Sequence, residues 1–201
     1  MVRKTLFVPI FILLLAMLHA ARTGIASLLV MQAREVLDSW ALSRVRPDSD
    51  EARKNLKLLE MAISLDPENP AYLENVARLQ VAEAEINQAR KDVYLKEALP
   101  AIRKAIELRP VSPYSWGILL VAKSGLDEVD PEFYRALSNA TFLGPWEQEV
   151  QVEVARAGIE KWGKMDYQQK EAVRKDISRA MKWRSEDIRG IVLSRQCGNC
   201  P

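Results

Sequence analysis

Cysteine is nearly absent: the chain has two, Cys197 and Cys200, and both stand in its last five residues. Placed there they cannot staple a core. One C-x-x-C supplies two ligands where a structural zinc takes four. A thioredoxin-type pair opens a helix behind a strand, a setting this tail does not offer. The pair reads as a tail feature without a structural role, with a local disulfide or a thiol-active use as alternatives. Histidine occurs once, as His19, and near the end of a hydrophobic segment it is given no role. Glycine-rich phosphate loops, nucleophile elbows and metal-spaced clusters are missing. Paired carboxylates such as Asp127/Glu128 and Glu186/Asp187 read as solvated positions. No catalytic residue, metal ligand or cofactor is therefore assigned, and the chain is expected not to be an enzyme. Glycine is scarce, eight in 201 residues, which argues against an all-β fold built on tight turns. A charge excess is missing too. At +2 the molecule carries no field that points to nucleic acid.

What is present is charge, proline and one long apolar run. Charged residues make up 28% of the chain, and the ten prolines fall mostly between apolar-periodic segments, where they punctuate helices. A basic head with Arg3 and Lys4 precedes residues 5–21, which carry no charge. A spanning helix takes about 20 apolar residues, with a lower limit of about 17, so this run is barely long enough. Apolar residues resume at 24–31, and a span that slides past a snorkelling Arg22 is one option. The rival is a signal peptide cleaved after residues 18–20, although Leu18 is large for that site. Both readings send the rest of the chain across a membrane, with Arg3 and Lys4 favouring a cytoplasmic N-terminus.

Beyond this run the apolar residues recur at helical spacing. Residues 25–44 read as a helix leaving the membrane. Pro47 ends it, and Asp48-x-x-Glu51 resembles a capping box. Further helices are expected at 50–65, 71–90, 93–108, 113–125, 131–142, after Glu147, at 166–183 and at 185–194. Pro100 predicts a kink or a helix start within its segment. Pro113 and Pro131 stand where a first helical residue needs no N–H, and Gly125 is expected to cap a helix. No stretch alternates with period two long enough to predict strands.

One phrase repeats. Ala62-x-x-Leu65-x-Pro67, Ala105-x-x-Leu108-x-Pro110 and Ala140-x-x-Leu143-x-Pro145 recur at offsets of 43 and 35 residues. A small residue, an apolar residue and a closing proline at such a period mark a helical repeat array. The phrase resembles the end of a tetratricopeptide repeat (TPR), a helix pair of about 34 residues. Ala62, Ala98, Ala105 and Ala140 fall on its small-residue positions, where helices cross closely, and Trp116 takes the aromatic place early in the next repeat. Phe133 departs from the pattern by occupying an alanine position, and the repeat after Pro67 is stretched. The resemblance implies an all-α fold, a TPR-like α-solenoid of antiparallel helix pairs behind an N-terminal transmembrane helix. Its expected parts are an anchor or signal peptide at 1–22, a connecting helix at 23–35, TPR-like repeats at 36–165, C-terminal capping helices at 166–195, and a flexible Cys-containing tail at 196–201.

A narrower resemblance rests on L-R-P-V-S-P-Y-S-W at 108–116, A-T-F-L-G-P-W-E at 140–147, and Gly158 with Trp162. These are similar to the VpsP-type family of small membrane-anchored proteins of bacterial exopolysaccharide biosynthesis. The resemblance implies a single-pass protein of the bacterial inner membrane with its bulk in the periplasm. It implies a scaffold that holds membrane proteins of polysaccharide polymerase, ligase or export machinery, with an acidic polysaccharide as a further partner and no nucleic acid. The alternative is a glycan-binding module.

Arrays of this kind bind partners on the concave face lined by the first helix of each pair. With repeat starts at about 36, 70, 113 and 148, one position of that face falls on Arg44, Arg78, Val121 and Arg156. Guanidinium forks match carboxylates, so three arginines in one groove could hold an acidic chain. The plainer reading pairs them along their own helices, Arg44 with Asp48 or Glu51, Arg78 with Glu74, and Arg156 with Glu153 or Glu160. Trp40 and Tyr114 fall on the same face and could stack on sugar rings. Trp146, directly after Pro145, is expected to pack as a wedge between helices, with an exposed contact as the alternative. The basic residues of 161–195 are interleaved with acidic ones and read as a solvated face.

Overall fold

The structure, a computed structural model, describes residues 2–43, 49–183 and 185–194. Among these the chain is all-helical: α1 (Val2–Ser43), α2 (Ser49–Leu65), α3 (Pro70–Ile86), α4 (Lys91–Leu108), α5 (Pro113–Gly125), α6 (Pro131–Leu143), α7 (Gln148–Glu160), α8 (Tyr167–Ala180) and α9 (Ser185–Ser194). Single 3-10 turns, Gln88–Arg90 and Trp162–Lys164, lead into α4 and α8.

The starts are written locally. Asn69, Ser112 and Asp130 each accept a backbone N–H of the first turn, and each is followed by a proline at the first helical positions. Asp166 and Gln169 form a reciprocal capping box on α8. The stops differ from expectation. Gly125 is the last residue of α5 and its φ is not positive; the left-handed residue after α5 is Asp127, at φ 59°. Gly125 instead gives room to a neighbour, since a Cβ there would lie 2.5 Å from Leu95. Pro100 neither starts nor breaks a helix, because it lies on the exposed side of α4, where water can take the carbonyl it frees.

Short turns fold the helices back on one another in antiparallel pairs. The C-terminal half of α1 pairs with α2, α3 with α4, α5 with α6, and α7 with α8, while α1, α3, α5, α7 and α9 touch in succession. Residue pairs set the directions. Ser27 of α1 meets Tyr72 at the start of α3 (3.2 Å), and Arg22 donates to the Leu65 carbonyl at the end of α2 (3.0 Å). Hence α1, α3, α5 and α7 run parallel and their partners return.

The core follows the pairs in two clusters. Ala26, Val30, Ala33 and Leu37 of α1 pack with Leu59 and Ala62 of α2 and Tyr72, Val76 and Leu79 of α3. The larger cluster runs from Leu73 to Ile188 and includes Leu119, Phe133, Val154 and Val173. Ala62, Ala98, Ala105 and Ala140 are all fully buried, as close helix crossings require. α1 is one uninterrupted 42-residue helix with Pro9 inside it. Residues 22 and 23 therefore lie inside one helix, and Ala26, Val30, Ala33 and Leu37 belong to the body as well as to the apolar run.

Lys123 near the end of α5 is 1% exposed and holds Glu128 (2.9 Å), Asp130 (2.8 Å) and Glu132 (3.0 Å). Burial works against its charge, but the three carboxylate hydrogen bonds outweigh it and raise its pKa. Arg103 of α4 closes the cluster on Glu132 at 2.7 Å. Removing the ammonium leaves three carboxylates facing one another around the α5–α6 turn. Lys123→Met is expected to cost about 2 kcal/mol, below the usual buried-pair value because Glu128 and Asp130 keep contact with water. A urea midpoint for the full chain in detergent would check this, and an unchanged midpoint would refute the cluster's structural role.

Candidate functional site: the trough over α5

Parallel α3, α5 and α7 make one face. α5 packs against both neighbours, and the side chains of α3 and α7 meet across it. Arg78 of α3 faces Glu149 of α7 at 3.7 Å. About two turns further on, Arg156 of α7 bonds Glu85 of α3. Between these two bridges α5 presents Gly117. A Cβ at this residue would lie 1.9 Å from Oε2 of Glu153, so only glycine lets that carboxyl settle on the α5 backbone.

Glu153 is the unusual group here. Its Oε2 is buried and, among the described residues, has no hydrogen-bond partner. Burial pushes its pKa up to about 8; Glu149 and Glu85 add to this, and Arg78 and Arg156 oppose it. The carboxyl is therefore mostly protonated at neutral pH. It can donate a hydrogen bond where an ionised carboxylate could only accept. Beyond the Arg156–Glu85 bridge the face opens into a cavity of about 290 Å³ lined by Val81, Glu85, Leu95, Val121, Ser124 and Arg156 among others. At the other end Tyr114, 38% exposed, donates its hydroxyl to the Glu147 carboxylate, which with burial pushes its pKa up to about 12.

The six sequence-derived residues are thus divided. Arg78, Tyr114, Val121 and Arg156 lie along this face. Arg44 lies outside the described residues, as do Cys197 and Cys200. Trp40 is within α1, but its side chain is outside what is described. Neither arginine pairs as the helix-surface reading expected. Arg78 meets Glu149 and not Glu74, whose carboxylate instead takes Arg109, Ser112 and Ser115 at the α4–α5 turn. Arg156 meets Glu85 of another helix. The carboxylates facing these arginines are the protein's own.

Gly117, Glu85 and Glu149 are not singled out by the sequence, and Glu153 enters there only as a surface partner for Arg156. A glycine inside an apolar helical pattern signals close approach, and Glu149, Glu153 and Arg156 share one side of α7 by their spacing. Neither signal says that α7 lies beside α3. Trp146 is corrected too: it is 71% exposed and wedges between no helices. Among the described residues no group of three or more His, Cys, Asp or Glu side chains could hold a metal ion. A comparison of the chain with models of known protein families found no match, and a comparison with curated proteins found none either.

Proposed function

We propose that the protein is a membrane-anchored, TPR-like α-solenoid scaffold without catalytic activity, whose trough over α5 holds a segment of a partner protein. The reading extends to a partner from bacterial exopolysaccharide synthesis or export, on the resemblance stated above, with the body in the periplasm. The observation that carries it is the pairing of α3 with α7 across α5. Parallel helices, small residues at their crossings and a cavity on the shared face fit an array that receives an extended chain. The apolar helix from Val8 to Leu37, long enough to cross a membrane, supports the anchor. The balanced charge of the trough, with Arg78 and Arg156 against Glu85 and Glu149, favours a partner that offers both signs or uncharged polar groups.

A photo-crosslinking amino acid at Arg78 tests this in intact cells, with one at Lys104 on α4 as control. The expected result is discrete adducts with integral membrane proteins from position 78 and their absence from position 104. Equal labelling from both positions, or none from 78, would count against the trough. A glycan is the second reading, favoured by Tyr114 at the mouth of the trough. Heat and a tryptophan emission change on titration with the native polysaccharide would support it over the first.

A further inference from the structure

The turns that join one helix pair to the next form a single edge. Tyr72 at the start of α3 touches Ser27 of α1. Glu74, one turn on, takes Arg109 and Ser112 from the α4–α5 turn. A Cβ on Gly144 in the α6–α7 turn would lie 2.7 Å from Pro113, and Tyr114 reaches Glu147. The row therefore runs unbroken from α1 to Trp146, and α8 returns toward the same edge and ends before Trp183.

This edge exposes large apolar side chains among polar ones such as Glu68 and Lys182. Val111 is 69% exposed, Phe142 80%, Trp146 71% and Trp183 68%. The opposite edge, made by the turns inside each pair, is tied by charge: Lys123 to its three carboxylates, and Lys161 and Lys164 to Asp127. Among the described residues its large exposed apolar side chains are Val93 and Tyr167.

The apolar edge is also the one from which α1 emerges. From Ala26 on, Ala26, Val30, Ala33 and Leu37 are buried in the body, while the large apolar side chains from Val8 to Leu18 are exposed. The stretch before Arg22 is free for lipid on every side, and beyond it one face of α1, with Ile25, Leu28 and Met31, stays exposed. The uncharged residues 5–21 rise about 26 Å as a helix, short of a hydrocarbon core of about 30 Å. No linker separates them from the body, because α1 is continuous and Arg22 is bonded to the end of α2. The exposed face with Ile25, Leu28 and Met31 makes up the missing length only by bringing the attached body with it, which draws the neighbouring turns to the bilayer surface, and aromatic side chains at that depth favour the interface.

We infer that the inter-pair turn edge lies on the bilayer that α1 enters, with Phe142 and Trp146 seated in its interfacial layer. This rests on the reading of α1 as a spanning helix. It makes the anchor and the edge one surface, holds α3, α5 and α7 pointing away from the membrane, and leaves the trough cavity at the far end.

The test uses the full chain with Cys197 and Cys200 replaced by serine, in phosphatidylethanolamine–phosphatidylglycerol vesicles. Spin labels go singly on Phe142→Cys, Trp146→Cys and Val111→Cys, on Tyr167→Cys as the far-edge control, and on Leu14→Cys in the span. Relaxation by oxygen is compared with relaxation by a water-soluble nickel chelate. The expected oxygen-to-nickel ratio at positions 142 and 146 is several-fold above that at 167, with 111 following them. Ratios at 142, 146 and 111 equal to that at 167 overturn the inference. Position 14 reports separately: lipid-like there with water-like at 142 and 146 keeps the span and rejects the docked edge. Water-like at 14 rejects the span itself. If one label unfolds its variant, the remaining edge positions decide.

Discussion

Glu153→Gln is expected to stabilise the protein at pH 8 and to flatten the stability it otherwise loses as pH rises above about 5. An unfolded glutamate titrates near 4.5, whereas Glu153 in the fold is pushed up to about 8 by burial. Between those values the native state binds the proton and the unfolded state does not, so stability falls as pH rises. Below the range both states are protonated and the group contributes nothing. Above it the full penalty is present. The shift corresponds to a penalty of about 2–4 kcal/mol, discounted because the side chain retains some contact with solvent. Glutamine keeps the shape and the donor without the charge. Urea unfolding of the full chain at pH 5, 7 and 8.5 would show wild-type and variant diverging toward alkaline pH. Parallel curves would mean that Glu153 moves out to water and that the trough has a different resting shape. Deprotonation also matters for the proposed binding, since it tips the balance among Arg78, Arg156, Glu85 and Glu149 toward negative.

Phe133→Ala is expected to cost about 3–5 kcal/mol. The ring is fully buried, and it meets Tyr134 edge-on at a centroid distance of 5.5 Å. Tyr134 in turn donates to the Lys164 carbonyl at 2.7 Å, so the ring supports the junction between α6 and the turn entering α8. Phe142, two turns and more along the same helix, is 80% exposed, and its truncation is expected to change stability by less than about 0.5 kcal/mol. Equal losses at both positions would show that the orientation of α6 differs from that described. The pair also separates core from edge, because the second variant leaves folding intact while removing one of the side chains assigned to the bilayer.

Both positions show how far pattern reading reaches. Phe133 departs from a repeat that puts alanine there, and the fold accommodates the ring in its core. Trp146 follows a proline at a stop-start turn, which suggested an interhelix wedge, yet it is mostly exposed. Sequence reading cannot separate these outcomes, because a large apolar residue at a helix end packs or protrudes according to which helix lies beyond it. Gly125 teaches the same point. Its place at a helix end suggested left-handed backbone, but Asp127 takes that conformation and Gly125 makes room for Leu95.

Local chemistry carried the secondary structure. Asn69, Ser112, Asp130 and Asp166 accept first-turn amides at the starts of α3, α5, α6 and α8, and apolar residues at helical spacing state which side of each helix is dry. Such interactions span four residues or fewer, so they can be read without knowing any neighbour. The trough could not be read that way. Arg78 with Glu149, Arg156 with Glu85 and Glu153 against Gly117 join residues 36 to 71 positions apart. Those contacts exist because buried alanines and Gly117 let helices approach closely enough to set α7 beside α3. Charge pairing and the proton on Glu153 are consequences of that packing, and a linear chain holds no record of them.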